Sequence, residues 1–280
     1  MKTISIIGLG LIGGSLGMRL YPHHHILGHD LMKRSMEEAV ERKAIHEALS
    51  FNDAVAKADL VILAAPLSKI PELVERAAPF LKPGAVLTDV GSTKSKICAA
   101  MRTHLKPGQF VGGHPMAGTE HRGIKNAQID LFDEKTFALT PESPEEEEAA
   151  KKVKELFKAI PLTWVSLSAD EHDLTVAYTS HLPYLMSVLI ARASMGATKN
   201  LPHLREMMGS GFKDTTRLAG QNPTLGRDLC LSNNQNLQTA IAQLRYSLSQ
   251  VEWLLENESR SALELLLEET AGWRTVLFEE

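Results

Sequence analysis

A strand that stops in closely spaced glycines and restarts as a helix leaves a chain few folds to choose from, and residues 3–20 have that form. Thr3-Ile4-Ser5-Ile6-Ile7 is short, apolar and β-branched, as a buried parallel strand is. It runs into Gly8-Leu9-Gly10-Leu11-Ile12-Gly13-Gly14-Ser15 and then into a helical stretch ending at Leu20. Gly8 permits the tight turn, Gly10 lets the backbone approach a pyrophosphate, and Gly13 lets the helix pack on the strand. The unpaired N–H groups around Leu11 and Ile12, at the positive end of that helix, suit the phosphates. A second strand, His25-Ile26-Leu27-Gly28-His29, ends at Asp30, near the spacing at which a carboxylate holds the adenosine ribose. Such a carboxylate accepts from a 2′-hydroxyl and repels a 2′-phosphate, so NAD is expected rather than NADP, although Lys33 and Arg34 could offset part of the repulsion.

The α/β rhythm continues to about residue 165. Asp59 to Pro66 reads as a buried strand stopped by proline, and Ala65 and Pro66 at its end are expected to wall the cofactor site. A helix is expected from Ile70 to Leu81, and Pro83-Gly84 turns into a strand from Ala85 to Asp89. Ser92-Thr93-Lys94-Ser95 opens the next helix, with Ser92 a candidate N-cap, and Phe110 to Gly113 is another strand end. Strands alternating with helices predict a parallel sheet whose strand carboxyl ends gather the ligands. Ser143-Pro144-Glu145-Glu146 carries the signature of a capped helix start, which accounts for the acidic run Glu145 to Glu148.

Beyond Trp164-Val165 no further strand is evident. Ser168 with Glu171 opens a long helix that Pro183 should kink. Leu237, Ile241, Leu244, Leu248, Val251 and Leu255 recur every three or four residues, a narrow stripe suited to a partner helix. The expected organisation is a Rossmann-type α/β nucleotide-binding domain over residues 1–165 and an all-α substrate and dimerisation domain over 166–280.

At 280 residues the chain is long enough for two domains. Its net charge of −4, with basic residues scattered, argues against nucleic acid as a partner. Cys98 and Cys230 offer neither a disulfide framework nor a metal-ligand spacing, which fits the cytoplasm and predicts no metal. No run of apolar residues reaches the roughly 18 needed to cross a bilayer, so no membrane role is expected. His23-His24-His25 reads as a loop entering the second strand.

Hydride transfer needs a group that manages a hydroxyl proton and anchors for the substrate. His114, in Gly113-His114-Pro115-Met116-Ala117-Gly118-Thr119-Glu120, stands at a strand's carboxyl end facing the cofactor cleft. A neutral imidazole there can take a proton as hydride departs. Ser92, after the preceding strand, could orient it. In the helical half, His181 lies beside the Pro183 kink. Arg217 offers a bidentate fork to a carboxylate, with Lys213 four residues earlier on the same helix face.

Over nearly its whole length the chain resembles the prephenate/arogenate dehydrogenase family. The segments that carry the likeness are Gly8 to Ser15, Asp89 to Lys94, Gly113 to Glu120, Ser180 to Pro183, and Gly211 to Arg217. The resemblance implies that His114 is the acid/base group with Ser92 as its partner near the nicotinamide. It also implies that His181 and Arg217 hold the substrate, and that the helical domain forms a homodimer. Lys213 and Glu120 complete the expected substrate contacts. Two positions depart from the family pattern. Tyr184 stands where many relatives have a second histidine, and Gly226 where many prephenate-type relatives have tryptophan. Gly226 resembles the arogenate-type branch, whereas Asp30 and Glu120 suit NAD-dependent, prephenate-type members. Two other plans share this outline: a 3-hydroxyacid dehydrogenase or pyrroline-carboxylate-type reductase, and a protein that only senses NAD(H).

Overall fold

A computed structural model describes residues 1–119 and 121–278. The chain forms two compact units, 1–234 and 235–280.

In the first unit, β1 (Thr3–Ile7) is the centre of a five-stranded parallel sheet. It is flanked by β2 (His25–His29) and β4 (Leu60–Leu63), with the two-residue β3 (Glu47–Ala48) and β5 (Val86–Asp89) at the edges, in the order 3-2-1-4-5. The crossovers carry α1 (Leu11–Leu20), α2 (Lys33–Glu41), α3 (Phe51–Lys57), α4 (Ile70–Ala77) and α5 (Ser95–His104). Both sheet faces are apolar: Ile4, Ile6 and Ile62 face one buried cluster, and Val61, Leu63 and Leu87 face the other. Strands buried on both sides explain why these runs lack alternation in the sequence.

The expectation of a purely parallel sheet fails past β5. There β6 (Gly112–Pro115), β7 (Thr136–Thr140) and β8 (Thr163–Ser166) form a second sheet. β6 and β7 are antiparallel, and β7 and β8 are parallel. The lead-in to β6 still runs beside β5, through Leu87 N–H to Gln109 O (2.8 Å) and Val111 N–H to Leu87 O (3.1 Å). Between β6 and β7 the chain forms a loop rather than a crossover helix, so no geometry forces β7 to run parallel. Helix α6 (Pro144–Leu156) starts as expected, Ser143 Oγ accepting from Glu146 N–H at 3.1 Å.

After β8 the unit is helical: α7 (Ala169–Val176), α8 (Leu182–Ala197), α9 (Ser210–Thr216) and α10 (Pro223–Ser232). Where a kink at Pro183 is expected, α7 and α8 are joined by one wide turn, Ala177–His181, with i to i+5 spacing. Such a turn absorbs the carbonyl that proline leaves without a donor. By length and composition the continuous helix Ala169–Ala197 could span a bilayer, its most apolar window having a mean hydropathy of 1.3. The count of consecutive apolar residues did not anticipate this. Its buried His172, Asp173 and His181, however, are all hydrogen-bonded to protein groups.

The second unit contains most of α11 (Asn234–Glu256) and α12 (Arg260–Phe278), joined through a turn with Glu258 at φ +48°. Much of its apolar surface is open. Leu248, Trp253, Leu255, Leu265, Leu267 and Trp273 are each more than half exposed.

In the glycine-rich turn, packing requires glycine at two positions and leaves the third open. A Cβ on Gly13 would stand 2.0 Å from Gly8 O, and Gly8 itself has φ +100° with Ala64 O 2.4 Å from its Cβ position. A Cβ on Gly10 would meet nothing within 4 Å. Gly13→Ala should therefore destabilise the protein by about 3 kcal/mol, the upper range for overpacking. Gly10→Ala should leave the denaturant midpoint unchanged. Chemical denaturation of the two variants beside the parent checks the contrast.

Candidate active site

Five elements deliver the site: the ends of β5 and β6, the start of α5, the first half of α7, and the close of α10. His114 lies on β6 and is 8% exposed. Its Nδ1 is 2.8 Å from His172 Nε2, and His172 Nδ1 is 2.9 Å from Asp173 Oδ1. Asp173 also accepts two backbone N–H groups at the start of α5, from Lys94 (2.6 Å) and Ser95 (2.9 Å). That helix N-terminus is thus capped by a carboxylate from a distant helix. Burial pushes the Asp173 carboxyl up, but the hydrogen bonds from His172, Ser95 and Lys94 outweigh it and hold the pKa below the ordinary value.

These contacts fix the tautomers. An ionised Asp173 can only accept, so His172 in its neutral form carries its proton on Nδ1 and presents a lone pair at Nε2. His114 must then donate from Nδ1, which leaves its Nε2 unprotonated and able to act as a base. Burial, reinforced by His172, Lys94 and His181, lowers the His114 pKa well below 6.5.

Beneath this chain lies a fully buried ion pair between Lys94 and Asp89. Lys94 Nζ also donates to Gly113 O (2.7 Å), while Asp89 accepts from Gly91 N–H (2.7 Å) and Gly113 N–H (3.1 Å). The pair pins the residue next to His114 to the end of β5. Ser92 is half-buried and, among the described residues, its side chain makes no hydrogen bond; the expected cap and orienting roles are filled by Asp173 and His172.

His181 is 1% exposed, its Nδ1 lies 3.1 Å from Asn233 Nδ2, and its Nε2 has no partner among the described residues. Burial, partly opposed by Asp173 and assisted by His172, lowers its pKa to about 4. Arg217 opens a short 3-10 turn after α9 instead of continuing the helix, and both it and Lys213 are exposed. Among the described residues neither has an ion pair, so both cations are free to meet an anion. Ala219 N–H donates to Ser187 Oγ (2.9 Å), which fastens the Arg217 turn to the helix that carries His181. Glu120 lies outside the described residues.

The two departures from the family pattern meet in space. A Cβ on Gly226 would stand 2.0 Å from Tyr184 Oη, so the phenol fills the room a side chain at 226 would need. Burial, followed by the neighbouring Cys230, raises the Tyr184 pKa.

On the cofactor side, Asp30 accepts from Leu9 N–H and Met32 N–H, each at 2.8 Å, which holds its carboxylate against the glycine-rich turn. The open space at Gly10, the bare N-terminus of α1 and this carboxylate fit a dinucleotide. Leu11 is buried, Ile12 and Ala65 are half-buried and Pro66 is exposed. Pro66 helps line a cleft of about 350 Å³ with Leu67, Thr119, His121, Asn222 and Asp228. Ser68 Oγ donates to Asp228 Oδ2 (3.0 Å), tying the two walls together.

Sequence reasoning missed His172, Asp173, Lys94 and Asn233. Glu171-His172-Asp173 in a first helical turn was a local signal, but its target lies 58 residues away.

The imidazoles of His114 and His181 are neutral in the folded protein, whereas the unfolded chain protonates them near pH 6.5. Stability should therefore fall as the pH drops below about 6.5, His181 alone accounting for on the order of 3 kcal/mol by pH 4. Denaturant midpoints measured from pH 7 downward test this; a flat series would mean that the rings are solvated.

Two family models match the chain. One is described as the nucleotide-binding domain of prephenate dehydrogenase, over residues 16–163, and the other as its dimerization domain, over residues 168–269. Prephenate dehydrogenase of Lactococcus lactis is 32% identical over 277 residues, spanning 96% of this chain and 75% of that protein. The crystal structure of prephenate dehydrogenase from A. aeolicus with hydroxyphenyl propionate and NAD+ superposes with a TM-score of 0.92 at 29% identity, covering 99% of this chain and 98% of that one. Synechocystis arogenate dehydrogenase superposes at 0.87 and 31% identity, covering 98% and 99%.

Proposed function

Because the chain belongs to the prephenate dehydrogenase family, we propose that it catalyses the NAD-dependent oxidative decarboxylation of prephenate to 4-hydroxyphenylpyruvate. The carrying observation is the polarity of the His114–His172–Asp173 chain, which leaves an imidazole lone pair at a strand end within the segment matched by the nucleotide-binding model. Gly8, Gly10, Leu11, Ile12 and Gly13 would hold the pyrophosphate, Asp30 the adenosine ribose, and Ala65 and Pro66 the adjoining wall. NAD+, when bound there, supplies the hydride acceptor.

His114 Nε2 takes the proton of the ring hydroxyl as the C4 hydrogen leaves as hydride. The ketone so formed makes the ring carboxylate a leaving group, and loss of CO2 gives the aromatic phenol, so the step is driven by the substrate's own chemistry. His172 and Asp173 stabilise the imidazolium: its Nδ1–H keeps its acceptor while the carboxylate offsets the charge. Arg217 and Lys213 supply unpaired cations for substrate carboxylate, and His181 supplies an N–H donor. Glu120 and Ser92 are retained as substrate-side and nicotinamide-side contacts on the strength of the family motif alone. Arogenate, which carries an amine in place of the side-chain keto group, is the alternative substrate; the Tyr184–Gly226 arrangement is the observation that favours considering it.

The domains we assign are 1–165 for the nucleotide and 166–280 for substrate and dimerisation, a division supported by the border between the two family models. The open apolar faces of α11 and α12 support a homodimer: a two-helix hairpin cannot bury its own stripe. The compartment we assign is the cytoplasm, supported by the free thiols Cys98 and Cys230.

NAD+ reduction assayed with prephenate and with arogenate, then with NADP+ in place of NAD+, tests the reading directly. His114→Asn should lower kcat by about 10²- to 10⁴-fold with little change in KM. Arg217→Ala should raise KM roughly 10- to 100-fold, as expected for losing a charged hydrogen bond. Near-normal turnover without the imidazole would remove His114 from the role of base. In sedimentation, the parent should run as a dimer and Leu248→Glu/Leu255→Glu should shift it toward monomer; a monomeric parent would remove the dimer assignment.

A further inference from the structure

Asn233, the residue that closes α10, touches both halves of the site. Its Nδ2 lies 2.6 Å from the backbone oxygen of Asp173 and 3.1 Å from His181 Nδ1. A carbonyl oxygen can only accept, so the atom at 2.6 Å must be the amide nitrogen; this contact fixes the orientation of the Asn233 amide. That NH2 group has two protons. One goes to Asp173 O, and the other points at His181 Nδ1, which must therefore hold a lone pair. The His181 proton is left on Nε2, the buried nitrogen with no partner among the described residues. A buried donor without an acceptor is destabilising unless a ligand satisfies it.

We propose that Asn233 is a positioning residue that locks His181 as a neutral Nε2–H donor for an oxygen of the bound substrate. This rests on the dehydrogenase reading and deepens it. The two imidazoles then have opposite polarity: His114 Nε2 accepts and His181 Nε2 donates. Both settings are referred to one residue, since the Asp173 carboxylate sets the first through His172 and its backbone oxygen orients the amide that sets the second. Neutrality at His181 matters because a second positive charge near His114 would weaken it as a base. The charged or titratable groups facing His181 from the packed elements are Asp173 and His172 on α7 and His114 on β6. Asp173 alone favours the cation, and it is already engaged by His172, Lys94 N–H and Ser95 N–H.

The test reads the tautomer directly. Two-bond 15N–1H spectra of the histidine-labelled protein, with the His181 signals assigned by their loss in His181→Gln, should show Nδ1 unprotonated and Nε2 protonated from about pH 6 to 8. A proton on Nδ1, or an imidazolium in that range, would overturn the proposal. Asn233→Asp replaces the donor by an acceptor, so His181 should become protonated at Nδ1 and titrate at higher pH. Its Nε2 should then lose the donor proton as the pH rises, and KM for the substrate should climb by about tenfold or more with pH where that of the parent is flat. An unchanged KM profile in a folded Asn233→Asp protein would equally sink the idea, and if that variant does not fold, the parent spectrum decides alone. The spectrum is taken without substrate, so absence of turnover on prephenate and arogenate, which would end the dehydrogenase reading, is a separate result.

Discussion

The carboxylate of Asp173 is the junction on which the site depends. It is buried, and a buried anion is tolerable only where donors replace the water it has lost. Three do so: His172 and the backbone N–H groups of Lys94 and Ser95 where α5 begins, at 2.6–2.9 Å. The same contacts cap α5, dock α7 against the sheet and orient His172. Capping the helix, joining the nucleotide-binding and helical parts and orienting the His114 ring are thus one arrangement, and removing the carboxylate would leave several buried groups unsatisfied at once.

A second buried charge supports the first. Lys94 presents its backbone N–H to Asp173 and its ammonium to Asp89 and Gly113 O. Buried ion pairs add little net stability but fix geometry strictly, because either partner alone would be an uncompensated charge. Here the fixed geometry is the register of β6 beside β5, and so the position of His114. The positive charge also helps keep the imidazole neutral. Arg217 and Lys213, by contrast, stand exposed, and among the described residues neither has an ion pair. The buried charges of Asp89, Lys94 and Asp173 are thus matched within the protein, whereas these two cations face solvent.

The contact between Tyr184 and Gly226 shows how two substitutions that look independent along the chain can be one event in space. The phenol and a side chain at 226 cannot occupy the same volume, so a bulky residue at one position requires a small one at the other.

The nucleotide half was legible because its information is local. The strand, glycine spacing, helix and Asp30 lie within thirty residues, and steric demands such as the 2.0 Å approach at Gly13 admit a single residue type. His114, His181 and Arg217 could be singled out from their neighbours along the chain. What surrounds them could not. Pairing of β7 against β6, the cap of α5 by Asp173, the imidazole chain through His172 and the amide of Asn233 each join residues far apart in sequence, and hydrogen-bond polarity exists only once donor and acceptor meet. The sequence by itself determined which groups are available for the chemistry; the tertiary structure decided which nitrogen of each ring carries the proton, because that depends on the partner folding brings to the other nitrogen.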